Sequence, residues 1–419
     1  MSVAVLSILA FAAAIIISCI SEINVGFLAI ALAFMVGVFA GDMRVAEVAA
    51  GFPTNLFLIL VGVTLLFSQA AVNGTLDKIA KRSVKLARGN VGMIPVIFFF
   101  LAAGLAAIGA GNIATTALLA PVAMAIAGRL RISAFLMTIT VCCGANAGAL
   151  SPVAPTGVIA NGLLARIGII GQEWPTFFNN FVAEGFVGLV GYFALGGYKL
   201  LSRDSRPAGP LNDSIVADEG PLTWNQTLTL VLIGLLLVGV SFFRLDVGMG
   251  AIIAASVLTL CRASNEEAAI RAMPWNVILM VCGVTVLISI LERKGGMDLF
   301  TSILAQFSNQ TSVTGVIAFV TGIISVYSSS SGVVLPAFLP TIPGLIDKIG
   351  GGDAMAIASS INVGAHLVDV SPLSTLGALC IANAPQAENR KSLFNKLMVW
   401  GLAMSVVGAV VCWVFFGLL

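Results

Sequence analysis

Val141–Asn161 reads VCCGANAGALSPVAPTGVIAN: too apolar for a solvent loop, too rich in breakers for an ordinary spanning helix. Gly144, Gly148 and Gly157 weaken a helix, and Pro152 and Pro155 each remove a backbone donor and disfavour helical geometry just before them. In hydrocarbon every freed amide or carbonyl needs a partner, so such a break survives only inside protein or beside a wet cavity. The pattern returns as Ser360–Ala382, SINVGAHLVDVSPLSTLGALCIA, where Ser371-Pro372 with Gly377 repeats Ser151-Pro152 with Gly157 at an offset of 220 residues. Two interrupted spans at corresponding places in two halves are the sequence pointer to a secondary transporter's binding site.

Composition supports a membrane setting. Of 419 residues, 59% are hydrophobic and 10% charged, and the mean hydropathy is +1.06; soluble domains carry roughly 25% charged residues. An all-α polytopic membrane protein is expected. The net charge of +2 says nothing about partners, and no nucleic-acid partner is expected. Seven cysteines lie in apolar runs without CxxC spacing, so they are expected to be small buried hydrophobes rather than disulfides or metal ligands. The run Val3–Ile20 lacks a basic leader and a small-residue cleavage site, and is expected to be retained as a span.

The spanning-length rule places spans near residues 3–20, 25–41 and 53–72, followed by a basic interfacial segment, Asn73–Asn90. An apolar stretch at 91–128 is interrupted by Gly109-Ala110-Gly111-Asn112, so it crosses twice or dips in and returns. The broken span 133–165 and a span near 178–201 complete repeat 1, residues 1–201. The polar linker 202–221 precedes repeat 2, residues 222–419, with its hairpin at 312–345 and broken span at 352–384. Phe52–Leu66 lies over Met273–Leu287 at offset 221 with seven identities in fifteen, among them Pro53/Pro274, Asn55/Asn276 and Gly62/Gly283. Asp77 and Asp298 recur at span ends, where capping is expected, and Glu184 is expected at the interface.

Five spans plus one re-entrant hairpin per half make the second half enter the membrane inverted. With the N-terminus outside, the cytoplasmic side, linker included, would hold 15 of the 21 Lys and Arg residues and the outer side 6, as the positive-inside rule asks.

Four stretches would meet near the midplane: the two broken spans and two polar hairpin tips, Gly109–Thr116 (GAGNIATT) and Tyr327–Val333 (YSSSSGV). Aligning Pro121 with Pro340 lays Gly111-Asn112-Ile113 over Ser330-Ser331-Gly332. Serines in an apolar context are costly unless paired. At a tip they offer hydroxyls and amides, and the following helix N-terminus favours an anion, while carbonyls freed at a break can hold a cation.

This organisation resembles the divalent anion/sodium symporter family of the ion transporter superfamily, most closely the MatC-type malonate/dicarboxylate carriers. That family carries Ser-Asn-Thr at both tips and Thr-Pro in both broken spans; here the tips read Gly-Asn-Ile and Ser-Ser-Gly, with Ser-Pro in the spans. By position, the resemblance implies one sodium site at Gly111, Asn112 and Ala149, and another at Ser329, Ser331 and Val370. It implies substrate contacts from Asn112, Thr115, Ser151, Pro152, Ser330, Ser331, Gly332, Ser371 and Pro372. It further implies a homodimeric scaffold and elevator-like motion of the module that carries the site.

His366, the only histidine, and Asp369 lie in the second broken span. Intramembrane ionisable groups mark function, so the pair either carries protons in place of Na+ or forms a mutual hydrogen bond three residues apart. An enzyme is not expected: His366 with Ser371 is the one thinkable local dyad, and no GxSxG elbow supports it. A channel suits paired hairpins less well than alternating access. The expected function is Na+- or H+-coupled import of a small dicarboxylate such as malonate or succinate across the inner or plasma membrane. An efflux carrier for arsenite or another small oxyanion, or a metal-citrate carrier, is the alternative.

Overall fold

The apolar runs are helical; they carry Gly144, Gly148 and Pro121 within helices and stop at the two Ser-Pro breaks. The computed structural model describes residues 2–20, 23–84, 90–201, 220–243, 245–385 and 387–418, and among these every regular element is a helix. The linker expected at 202–221 lies outside the described residues except for Gly220 and Pro221.

The first half runs α1 (Val3–Ile20), α2 (Val25–Phe34, prolonged by a wide π turn to Ala40), α3 (Val45–Ala49) and α4 (Thr54–Val72). Next come α5 (Thr75–Val84), α6 (Met93–Leu105), α7 (Gly111–Leu130), α8 (Ala134–Ala149), α9 (Pro155–Arg166), α10 (Glu173–Ala194) and α11 (Gly197–Leu201). The second runs α12 (Trp224–Phe243), α13 (Val247–Leu260), α14 (Glu266–Ala272), α15 (Trp275–Arg293), α16 (Gly296–Gln306) and α17 (Val313–Tyr327). A return arm follows, made of a π turn (Ser330–Val334), α18 (Leu335–Phe338) and α19 (Ile342–Ile349); α20 (Ala354–Leu367), α21 (Thr375–Ala382) and α22 (Arg390–Cys412) complete it.

Five of the described runs are long and apolar enough to cross a bilayer: Thr54–Val72, Met93–Leu130, Trp275–Arg293, Ser330–Ile349 and Arg390–Leu418. Seven further apolar helical runs of 10–17 described residues accompany them. The chain is a polytopic, all-helical membrane protein. The amphipathic α5 is not a span. Its Lys78 ammonium donates to the Pro221 carbonyl (2.7 Å) and its Arg82 to the Gly220 carbonyl (2.8 Å), tying the basic segment to the start of the second half. Asp77 and Asp298 sit in the first turns of α5 and α16, where a carboxylate complements the helix dipole.

Both broken stretches break as their sequences dictate. Ser133 caps α8 by accepting the Leu136 amide, and α8 stops at Ala149. Ala154 is extended, as a residue before proline prefers, and Pro155 opens α9. Asp353 caps α20 by accepting the Ala356 amide (2.6 Å); α20 stops at Leu367, and α21 resumes only at Thr375. The interrupting turns use matched bonds: the Ser151 and Ser371 amides donate back to Gly148 and Val368, and the Ala154 and Ser374 amides donate to the carbonyls of those serines. A Cβ at Gly157 would collide with the Ser151 carbonyl, and one at Gly377 with the Ser371 carbonyl. Only glycine lets the resuming helix close against its own break.

Neighbouring helices are matched too. α6 and α7 both pack on the 16-residue α8, so the chain reverses between them, at Gly109 and Gly111 with φ of 121° and 74°. α8 meets α6 where Gly144 abuts the Phe99 carbonyl, and α20 meets α17 where Gly364 abuts the Ala318 carbonyl. α2 packs on α15 and α13 on α4, so each half lends a helix to the other.

Two expectations need correction. The span expected at 178–201 is α10, Glu173–Ala194, and it ends because Gly196 takes a φ of 82° that stops the helix. Glu184 is not interfacial: it sits mid-helix with 0% exposure, on the stripe Thr176, Asn180, Glu184, Val187 and Gly191 that α10 turns inward.

Candidate functional site

Three of the four stretches singled out in the sequence meet around one cavity of about 290 Å³. The α6–α7 turn contributes Asn112 and Ile113; the turn before the return arm contributes Tyr327 and Ser328–Ser331. The second break contributes Asp369 and Leu373–Leu376, and Met280 of α15 and Ile23 complete the wall. No lysine or arginine lines it among the described residues.

The serine turn is held by its own hydroxyls. Ser329 is extended, and its Oγ accepts the Gly332 amide (3.0 Å), which caps the return arm. The Ser330 hydroxyl lies 2.6 Å from Ser325 Oγ, 3.1 Å from the Ala365 carbonyl and 2.6 Å from Asp369 Oδ1. A hydroxyl has one proton to give, so Ser330 ties the turn to α20 and orients Asp369 rather than reaching freely for a ligand. Ser374 Oγ donates to the Asp369 carbonyl and fixes the loop from the other side. Ser331 is half-buried on the cavity wall.

On the opposite wall Asn112 is committed at both ends of its amide. Its Oδ1 accepts the Ile113 amide (3.0 Å), and its Nδ2 donates to Asn146 Oδ1 (2.9 Å). Asn146 is the hub. From mid-α8, with no exposure, its Nδ2 donates to the His366 carbonyl on α20 (2.9 Å), and its own carbonyl accepts Asn180 Nδ2 of α10 (2.8 Å). One side chain therefore links the first turn to the second broken helix. A buried amide satisfied on both ends gives a rigid, defined geometry, and losing it strands its partners.

Among the described residues the His366 and Asp369 side chains share no hydrogen bond; the two residues are joined only by the Asp369 amide donating to the His366 carbonyl (3.0 Å). His366 Nδ1 lies 2.7 Å from the Asn362 carbonyl one turn back, whereas Asp369 faces the cavity and Ser330. The helix stops between them, at Leu367, so the three-residue spacing no longer puts both on one helical face.

Of the positions that the resemblance marked for substrate, Asn112, Ser330 and Ser331 line the cavity. Thr115 and Gly332 are buried behind the wall. Ser151 and Pro152 lie in the first break, away from the cavity lining; Ser371 packs beneath Gly401 of α22, with Pro372 buried beside it. Ser374 and Thr375, three residues further on, are the break's polar groups at the cavity. Of the positions marked for sodium, Asn112, Ser329 and Ser331 reach the cavity, while Gly111, Ala149 and Val370 are buried outside its lining.

Sequence reasoning missed Asn146, Asn180 and Ser374. For Asn146 the signal was present: Gly144-Ala145-Asn146 recurs as Gly364-Ala365-His366 at the same offset of 220.

Comparison with known proteins agrees with this architecture. Residues 1–149 match the family model of the dicarboxylate carrier protein MatC N-terminus. No curated protein matches the chain. The fold is shared with the YdaH transporter of Alcanivorax borkumensis, at a TM-score of 0.61 and 16% identity, covering 88% of this chain and 87% of that one. It is shared also with Neisseria gonorrhoeae MtrF, described as illuminating a class of antimetabolite efflux pumps, at a TM-score of 0.59 and 12% identity, covering 92% of this chain and 85% of that one. The comparisons therefore point to a transporter and not an enzyme.

Proposed function

We propose that this membrane transporter, whose first 149 residues match the MatC dicarboxylate carriers, is a secondary importer of a malonate- or succinate-like dicarboxylate, coupled to Na+ or H+. The observation that carries the reading is the polar cavity between the two turns and the second break, lined by Asn112, Ser328–Ser331, Ser374 and Thr375 and, among the described residues, by no basic side chain. Hydroxyls, amides and the start of the return arm can bind carboxylates there as they bind anions elsewhere.

Asp369 supplies the coupling logic. An ionised carboxylate in the wall repels a dianion in the same low-dielectric space. Substrate binding then requires that Asp369 be neutralised, by a proton or by a cation held between it and the serine turn. Ion and substrate bind together because each relieves the other's electrostatic cost.

The paired helices support two inverted repeats with re-entrant hairpins at α6–α7 and at α17 with its return arm. The matched breaks, the glycine contacts of Gly144 and Gly364, and the reciprocal α2–α15 and α4–α13 packing favour this arrangement. In the proposed cycle the hairpins and broken spans move as one module, elevator-like, against a homodimeric scaffold, with the N-terminus outside and the linker cytoplasmic; these features rest on the resemblance and on the distribution of Lys and Arg.

The test is uptake into proteoliposomes. Labelled malonate and succinate are expected to accumulate under an inward Na+ gradient or an inward proton gradient, and not without either. Failure to accumulate under both, together with arsenite movement by the same vesicles, would replace this reading with oxyanion efflux.

A further inference from the structure

Among the described residues Glu184 is the one carboxyl group sealed in the helix bundle away from the cavity, and nothing in the cycle described so far uses it. It lies mid-α10 with 0% exposure, and neither carboxyl oxygen has a hydrogen-bond partner. One turn earlier on the same face, Asn180 donates its amide to Asn146, while its Oδ1 is equally buried and also without a partner. Residues four apart on a helix are neighbours. Three acceptor atoms thus sit within one turn with no N–H or O–H donor to satisfy them. The group facing Glu184 from α8 is the Cys143 thiol, a weak donor. An ionised carboxylate in such a place is very costly. A single proton resolves the conflict: carried on the carboxyl group, it turns one acceptor into a donor that Asn180 Oδ1 can accept.

We infer that Glu184 is a proton site of the transporter, linked to the substrate cavity through Asn180, Asn146 and Asn112. Asn180 bonds the Asn146 carbonyl, and Asn146 bonds both Asn112 at the cavity and the His366 carbonyl of the second break. Loading or losing the proton changes what Asn180 can bond, and Asn146 is the next member of the chain. The step is a proton exchange between Glu184 and water reaching α10 during the cycle, with no other bond made or broken.

The other titratable groups around α10 are accounted for. Cys142 and Cys143 come from α8, with Cys142 turned to Cys380 of α21 (3.8 Å). Asp369 lies beyond α20, within electrostatic reach of Glu184. His366 of α20 is engaged with Asn362. Arg166 of α9 and Tyr198 and Lys199 of α11 stand at helix ends, and Glu173 and Tyr192 lie towards the two ends of α10 itself.

The inference rests on the transporter reading but not on its substrate, so two readouts are needed. The first is the infrared carbonyl stretch of a protonated carboxyl group in the purified full-length protein at neutral pH. It is expected in the wild type, to move on labelling with 13C-glutamate, and to vanish in Glu184→Gln. The second is malonate transport in proteoliposomes. A gradient of one pH unit is worth about tenfold accumulation per coupled proton, and Glu184→Gln is expected to lose that factor while keeping substrate counterflow. Absence of a glutamate-sensitive band, or a band displaced by Na+ instead of pH, overturns the proposal. So does a Glu184→Gln protein that still accumulates malonate tenfold on protons. Isotope labelling needs no variant, so the first readout decides even if Glu184→Gln does not fold, and it decides whether or not malonate is the substrate.

Discussion

Replacing Asn146 with leucine is expected to abolish gradient-driven uptake and to lower the melting temperature of the purified protein by several degrees. Leucine has the same branched heavy-atom shape and a larger volume, so the change removes bonds and leaves no cavity. It strands the Asn112 amide, otherwise paired at 2.9 Å, and leaves the His366 carbonyl with only its backbone donor, the Asp369 amide. An unsatisfied buried polar group costs about 1–3 kcal/mol, a sizeable share of a typical net stability. The functional loss should exceed the stability loss. Asn146 is the side chain that fixes the first turn, through Asn112, relative to the second broken helix; without it the two sides of the cavity are no longer in register. Full uptake by Asn146→Leu, measured beside its thermal melt, would show that the hub is a packing detail.

Asp369→Asn is expected to uncouple rather than to unfold. Asn can still accept from Ser330 Oγ as Asp369 Oδ1 does at 2.6 Å, so the serine turn keeps its tether. What disappears is the charge that a proton or cation must neutralise before a dianion can enter. If protons couple, wild-type uptake rises as pH falls, because the protonated form of Asp369 admits the substrate, and Asp369→Asn flattens that dependence. If Na+ couples, the variant loses the sodium dependence instead. In both cases binding without the ion should persist, as the repulsion is gone. Unaltered ion and pH dependence in Asp369→Asn removes Asp369 from coupling.

The breaks were legible in the sequence because proline and glycine act locally: Pro152 and Pro372 stand in the breaks, Pro155 starts the helix that resumes, and Gly157 and Gly377 repeat at a fixed offset. The serine turn was legible because four consecutive hydroxyls, Ser328–Ser331, have no reason to sit in an apolar run otherwise. The hub was not. Asn146 is a single polar residue amid alanine and glycine; the repeat at offset 220 marks it as the counterpart of His366, but their contact across 220 residues is visible only in three dimensions. The position of Glu184 was misjudged for a related reason. With α10 starting at Glu173 rather than near residue 178, Glu184 falls mid-helix, and α10's inward stripe takes it to the centre of the bundle. The shift from Ser371 to Ser374 as the polar group at the cavity is likewise three-dimensional: Gly401 of α22 covers Ser371, while the loop beyond it turns Ser374 and Thr375 inward.

The central claim is that the dicarboxylate binds between the two turns and the second break, and the most direct measurement is equilibrium binding of labelled malonate, with and without Na+ and at two pH values, to purified wild type and to Ser331→Trp. Ser331 is half-buried on the cavity wall and makes no hydrogen bond that holds the serine turn, so an indole there should fill the cavity without dismantling the fold. Saturable, ion-dependent binding in the wild type that Ser331→Trp loses at unchanged thermal stability is the predicted result. Equal binding by the two proteins would put the substrate elsewhere and contradict the account.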